Sequence, residues 1–273
     1  MDDENRLQAY VDTWAVAVGD VVALLRSLRD EDWSRPTDCP GWDVAAVAAH
    51  LAHLESELAG NPQAEVEVPA LAHVTSSMGA YTERGPIARR GWSPTAVVDE
   101  LEASAALRLA ALRADPPTDG SVRAPVTPGN IGWTWDTLLS NRPLDVWMHE
   151  QDIRREVGRP GGLDTAAARQ TVAVFARGLG FVVGKRVAPP AGTSVVLDVT
   201  GAQPVHLAVE VGTDGRATPL RVDPAEPTVT LRMDTETYVV LCSGRRPSSD
   251  LDVEVSGDDA LGRRVLDAMA ITP

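Results

Sequence analysis

The stretch Leu144-Asp145-Val146-Trp147-Met148-His149-Glu150-Gln151-Asp152-Ile153 decides how the first half of this chain is read. On a helix turning about 100° per residue, Asp145, His149, Asp152 and Glu156 fall in one row within roughly 60°. Val146, Ile153 and Val157 border that row on one side, Leu144 and Met148 on the other, while Glu150, Gln151, Arg154 and Arg155 fill much of the opposite sector. A solvated face is not bordered by apolar strips on both edges with charges opposite, so the pattern predicts a polar stripe turned into a helical bundle. A buried acid needs a partner. Two fit: a divalent cation, which suits imidazole plus carboxylate, or an intrahelical Asp–His pair in a polar pocket.

A second helix carries the complementary group. Asp38-Cys39-Pro40-Gly41 is turn chemistry, Asp43 is a natural N-cap, and Gly60 ends the helix that follows. Val44, Val47, Leu51, Leu54 and Leu58 form its apolar stripe. His50 lies roughly 80° from the stripe's centre and His53 roughly 140° away, so His50 borders the core and His53 is expected to face mostly outward. His50 is either satisfied by a backbone carbonyl or is a ligand. With Asp145 and His149 it would make a three-ligand site with one coordination position open, as a catalytic metal needs. Histidine and carboxylate favour Zn²⁺ over Mg²⁺ or Ca²⁺, which prefer oxygen shells. Asp152 has three open roles: a fourth ligand, an acceptor for an imidazole N–H, or a substrate contact.

Around these elements the first half reads as helices. Apolar residues recur at three and four from Leu7 to Leu28, and Ser93-Pro94 opens a long helix reaching about Arg113. The His149 helix runs roughly from Thr134 to Val157, with Pro143 kinking it or starting its second part. Residues 61–92 are ambiguous, with some helix around 70–84. A further helix over about 164–181 leads to strand-like runs at 195–199, 205–211, 228–232 and 251–255, interleaved with helices at 235–241 and 259–269. The expected organisation is a helical bundle over 1–161, a linking helix over 162–187 and a small α+β domain over 188–273. All 7 Trp lie at or before Trp147, which sets the halves apart in composition.

Composition narrows the partners. A formal charge of −14, from 25 basic and 39 acidic residues, argues against nucleic acid. The basic residues are arginine except Lys185, the mark of a GC-rich bacterial genome. Cys39 and Cys242 are too few for a disulfide framework, so a reducing cytoplasm is expected. The acidic start Met1-Asp2-Asp3-Glu4-Asn5 lacks a signal peptide's apolar region, and no uninterrupted apolar run approaches the ~18 residues that span a bilayer. No membrane partner is expected, and a monomer or homodimer is. Cys39 reads as part of a structural turn, and His73 and His206 as structural. Ser243-Gly244-Arg245-Arg246 is either a surface turn or a carboxylate-binding pair of guanidiniums. No phosphate-binding loop, dinucleotide glycine fingerprint or serine nucleophile elbow is found.

Thr37-Asp38-Cys39-Pro40-Gly41-Trp42-Asp43-Val44 with His50-Leu51, and then Arg142, Asp145, His149 and Asp152, resembles the mycothiol-dependent maleylpyruvate isomerase family of the DinB-like superfamily. Cys242-Ser243-Gly244-Arg245 and Val255-Ser256-Gly257-Asp258 resemble that family's sterol-carrier-like C-terminal domain. The resemblance covers nearly the whole chain. It implies a DinB-like four-helix bundle holding zinc or another divalent metal on His50, Asp145 and His149; the middle ligand is commonly Glu, so Asp145 is a departure. It further implies mycothiol, a low-molecular-weight thiol of actinobacteria, as cosubstrate, and an electrophilic small molecule as its target. Coordination favours a thiolate over the thiol, which then serves cis–trans isomerisation or S-transfer. Arg142 is the expected cofactor contact, and Asp152 and Arg245 the expected catalytic groups, with Arg245 at the rim of the metal pocket. A non-enzymatic ligand-binding or regulatory protein with a vestigial metal site, and a metal-dependent hydrolase, are the rival readings.

Overall fold

A computed structural model describes residues 2–272, which divide between Gly161 and Gly162 into two compact units. The first contains α1 (Asp3–Arg26), α2 (Val44–Leu58), α3 (Ser77–Thr82), α4 (Arg84–Ala88), α5 (Pro94–Ala114) and α6 (Trp135–Val157). The four long helices form a bundle in which α1 packs on α5 and α6, and α2 packs on the same two. Local sequence sets their ends. Asp43, Ser93 and Thr134 each accept a hydrogen bond from the backbone N–H three residues on, satisfying a donor that the helix start leaves free. Gly158 closes α6 in the left-handed region at φ 65°, where a side chain is disfavoured. Pro143 sits inside α6, which continues through it.

The bundle core is built from Leu7, Val11, Trp14 and Val21 of α1, Val44, Val47 and Leu51 of α2, Leu101 of α5, and Leu138, Val146, Trp147 and Ile153 of α6, all buried. Each such side chain stabilises the fold by roughly 1.5–3 kcal/mol. Among the described residues α1 alone is long and apolar enough to cross a membrane by length and composition; its apolar face is buried in the bundle.

The ambiguous stretch 61–92 is irregular chain followed by the two short helices α3 and α4, the first inside the range expected to hold some helix. The helix α4 lies so close on α2 that a Cβ at Gly85 would meet the His53 Cβ at 2.7 Å and the Ala49 carbonyl at 3.1 Å. His53 is therefore buried, 3% exposed, rather than outward; the wheel of one helix cannot show a second layer over it. Glu150 and Gln151 are buried too, because α6 is enclosed by α1 and α2. Glu150 accepts from Arg154 Nε at 2.7 Å, and Gln151 donates to the Gly161 carbonyl at 3.2 Å.

The second unit begins with α7 (Ala166–Arg177), the single turn α8 (Leu179–Phe181) and a π-helical turn, Val182–Val187. The helix expected to reach 181 thus stops at Arg177. The segment after it lies directly on a strand edge: a Cβ on Gly180 would be 2.8 Å from the Ala217 carbonyl and one on Gly184 2.5 Å from the Ala217 nitrogen. Then come β1 (Ser194–Thr200), β2 (Val205–Val211), β3 (Ala217–Pro219), β4 (Val229–Asp234), α9 (Thr235–Cys242), β5 (Glu254–Gly257) and α10 (Asp259–Asp267). The strands form one sheet in the order β3-β2-β1-β4-β5, with β1 parallel to β4 and the other pairs antiparallel. Register places Val195, Leu197 and Val199 beside Val229, Leu231 and Met233, a buried apolar face. On the alternate face Asp198 pairs with His206 on one side and Arg232 on the other. The last strand starts at Glu254 rather than Leu251, since Ser248–Asp250 forms a 3₁₀ turn before it.

The close approach of α4 to α2 can be tested alone. Gly85→Ala is expected to destabilise the protein by about 1–3 kcal/mol, the range for overpacking a tight contact. Urea unfolding measures it, and an unchanged midpoint would show that α4 is not seated on the His50–His53 turn.

Candidate metal centre

One turn of α2 and two turns of α6 face each other where His50, Asp145 and His149 meet. Asp145 Oδ1 lies 3.8 Å from His50 Nε2 and 3.7 Å from His149 Nε2, and the three donor atoms are all within 4.8 Å of one another. These spacings are too long for hydrogen bonds. They suit atoms arranged around an ion: ligands about 2.0–2.2 Å from a tetrahedral centre lie about 3.3–3.6 Å apart. The shorter Asp in place of Glu still brings one oxygen to both imidazoles. Both histidines are buried, while the Asp145 side chain is 22% exposed, so the open side of the cluster is at Asp145. The Trp42 ring stands 4.9 Å from the His50 ring and 6.0 Å from that of His149.

His149 is held by its other nitrogen. Nδ1 is 3.1 Å from Asp152 Oδ2, the carboxylate–imidazole arrangement that fixes the tautomer of a metal-binding histidine. Cys39 Sγ donates to the same oxygen at 3.1 Å, Arg155 pairs with the other oxygen, and Arg155 also bonds Asp38 at 2.9 Å. Asp152 is buried among these partners. Of its three open roles this geometry matches the acceptor. Burial pulls the His149 pKa down, but the bonds to Asp152 and Cys39 and the charge of Asp145 more than offset it, raising it to about 10. Burial lowers that of His50, leaving a neutral imidazole as a ligand requires. Among the described residues His50 Nδ1 has no hydrogen-bond partner; Trp42 packs against its ring instead.

Cys39, His149 and Asp152 form a second close set of possible ligands. Their contacts are direct hydrogen bonds through Asp152 Oδ2, and they engage His149 Nδ1, leaving Nε2 for the first set.

Behind Asp145 stands a network that the helix wheels did not reveal. Asp145 Oδ2 accepts from Arg142 Nη1 at 2.8 Å. Arg142 gives Nη2 and Nε to Glu55 Oε1 at 2.7 and 3.2 Å. Glu55 also accepts from Trp14 Nε1 at 3.0 Å and Arg108 Nη1 at 2.9 Å, and Arg108 stacks over the Trp14 ring at 4.6 Å. Burial pushes the Glu55 carboxyl up, but the two guanidiniums hold its pKa below the ordinary value. Arg142 is 1% exposed and gives three of its N–H groups to Glu55 and Asp145, so it meets the cluster through the Asp145 carboxylate. The signal was present: Glu55 falls four residues after Leu51, and Arg108 seven after Leu101 and four before Leu112, each a charge on an apolar stripe.

In the second unit Arg245 follows Gly244, which takes φ 65°. The Arg245 backbone N–H donates to the Val240 carbonyl at 3.1 Å, and its guanidinium donates to the Ser243 carbonyl at 3.4 Å. These contacts finish the end of α9.

A helical bundle offering two imidazoles and a carboxylate, joined in one chain to a small mixed-sheet unit, defines a class of candidate metalloproteins. Residues 14–154 match the mycothiol maleylpyruvate isomerase N-terminal domain and residues 169–264 the MDMPI C-terminal domain; the chain belongs to this family. Among solved structures, the mycothiol-dependent maleylpyruvate isomerase and a histidine-to-alanine mutant of it are similar, at 15% and 16% identity with TM-scores of 0.53 and 0.55. Each match covers 94% of this chain and 96% of the other, and at that identity the likeness carries the fold. No curated protein matches the chain.

If Asp152 orients His149, Asp152→Asn weakens divalent-ion binding about 10–100-fold while the three donors remain. Competition against a chromophoric chelator reads this; unchanged affinity would leave Asp152 as a packing partner only.

Proposed function

We propose that this protein is a metal-dependent, mycothiol-using isomerase of a maleylpyruvate-like substrate. The observation that carries the reading is the convergence of His50 Nε2, Asp145 Oδ1 and His149 Nε2 in a chain of this family. The residues fit a divalent cation, zinc by the chemistry of the donor set. Such a cation, when bound, lowers a thiol's pKa so that it stands as thiolate at neutral pH.

The chain's own groups supply the rest. Asp152 holds the Nδ1 proton of His149; the raised pKa keeps a second proton on Nε2 at neutral pH, and a cation would bind there by displacing it. Asp145 gives one oxygen to the cluster and the other to Arg142. Trp42 shields the two imidazoles from water on one side. On this reading the thiolate adds to one carbon of the substrate's cis double bond and the electron pair moves onto the conjugated carbonyl. Rotation about the resulting single bond, followed by expulsion of the thiolate, returns the trans isomer with no net consumption of thiol. No side chain of the protein has to act as nucleophile, in keeping with Cys39 being hydrogen-bonded to Asp152.

S-transfer is the second reading. It uses the same thiolate but retains the new carbon–sulfur bond, and the Trp42 face beside the cluster favours it for apolar electrophiles. The products separate the two: isomerisation leaves the thiol concentration constant, whereas transfer consumes one thiol per turnover.

The expected result for purified protein is about one divalent ion per chain and mycothiol-dependent conversion of maleylpyruvate. His149→Ala is expected to lose the ion and at least about 100-fold in kcat/KM, as when a group acting only in the transition state is removed. Elemental analysis and a coupled absorbance assay measure both. Equal metal content in the variant would remove the ligand assignment, and equal turnover without thiol would point to hydrolysis by an activated water.

A further inference from the structure

A buried network stands behind Asp145. It draws on four elements: Trp14 from α1, Glu55 from α2, Arg108 from α5, and Arg142 and Asp145 from α6. Its charges balance, two carboxylates (Glu55 and Asp145) against two guanidiniums (Arg108 and Arg142). Glu55 is 0% exposed, so water does little to screen it. The balance has a chemical consequence. A site whose carboxylate is already neutralised by a guanidinium leaves a divalent ion with its charge uncompensated, and that charge is then met by anionic ligands entering at the open side.

We infer that Glu55 is a positioning residue for the metal centre: acting through Arg142, it fixes which oxygen of Asp145 faces the two imidazoles and, against Arg108, sets the charge behind that carboxylate. The inference rests on the metal reading proposed above. Three features carry it. Arg142 meets Glu55 through two donors and Asp145 through a third, so its planar fork transmits the orientation of Glu55 to Asp145. The two oxygens of Asp145 are divided, Oδ2 to Arg142 and Oδ1 toward the histidines. Arg108 is held less completely than Arg142, with Nη2 lacking a hydrogen-bond partner among the described residues, so its charge is the one that can be removed with the smaller structural penalty.

The charge assignment gives two variants opposite signs. Glu55→Gln keeps an acceptor for Arg142 but removes a negative charge, so Arg142 draws more strongly on Asp145. Binding of Zn²⁺ or Co²⁺ weakens by roughly tenfold or more. Arg108→Met keeps an apolar stem over Trp14 and removes a positive charge. Binding tightens by roughly threefold to tenfold. The set of Asp38, Asp152 and Arg155 behind His149 is the same in both proteins.

The readout is the dissociation constant of the metal alone, by competition against a chromophoric chelator, on protein shown by circular dichroism to be folded. Melting of the metal-free forms is followed in parallel. Opposite shifts in affinity support the inference. A purely structural network would lower melting in both variants and leave affinity unchanged or weakened in both, which overturns it. Should Glu55→Gln fail to fold, Arg108→Met decides alone, with affinity at or below wild type as the contradicting result. Wild-type protein that binds no ion, or His149→Ala protein that keeps it, overturns the metal reading and this inference together. Wild-type affinity in Glu55→Gln beside a loss in His149→Ala overturns the inference only.

Discussion

The carboxylate of Asp145 is the point on which the helical unit turns. One of its oxygens belongs to the core, through Arg142 and Glu55 to Trp14 and Arg108, and the other to the cluster with His50 and His149. Burying so many charges is unfavourable unless every one is paired. Here the pairing runs across α1, α2, α5 and α6, so a bundle with one helix out of register would leave a charge stranded. The ion network therefore specifies the relative placement of the helices that the apolar core only drives together.

The same arrangement separates positioning from chemistry. Asp152 and Arg142 each stand one hydrogen bond behind a member of the cluster, the first against His149 and the second against Asp145. Cys39, Trp42 and α4 close the surroundings of the histidines, and Gly85 permits that closure by letting α4 rest on α2 without a side chain between them. The rigid groups are thus set back in the core, and the more exposed edge of Asp145 is left for what enters.

Much of this is legible in the sequence because helices repeat on a simple period. The row Asp145, His149, Asp152 stands out because apolar residues border it on both sides, and the caps Asp43, Ser93 and Thr134 mark helix starts by a local hydrogen bond. The family resemblance rests on residues 37–44, His50, Leu51, Arg142, Asp145, His149 and Asp152, with 242–245 and 255–258 in the second half, and the matches over 14–154 and 169–264 bear it out. What escaped were properties that need a second element. The burial of His53 does not show on the wheel of α2, because the helix that covers it, α4, is a separate element. The carboxylate that Arg142 pairs with, Glu55, lies 87 positions away, beyond any local pattern. The strand Ala217–Pro219 is 3 residues long and ends in proline, too short for alternation to show. The helix end at Arg177 leaves no local mark, since nothing nearby in sequence announces that Gly180 and Gly184 must meet the backbone at Ala217.

X-ray absorption spectroscopy of the zinc-loaded protein, free of added thiol, tests the central claim most directly, since it reads the ligands without relying on activity. The account predicts a first shell of nitrogen and oxygen at about 2.0–2.2 Å, with the outer-ring scattering of two imidazoles and no sulfur. A sulfur neighbour at about 2.3 Å would place the ion at Cys39, His149 and Asp152 instead, and would contradict the centre built on His50, Asp145 and His149.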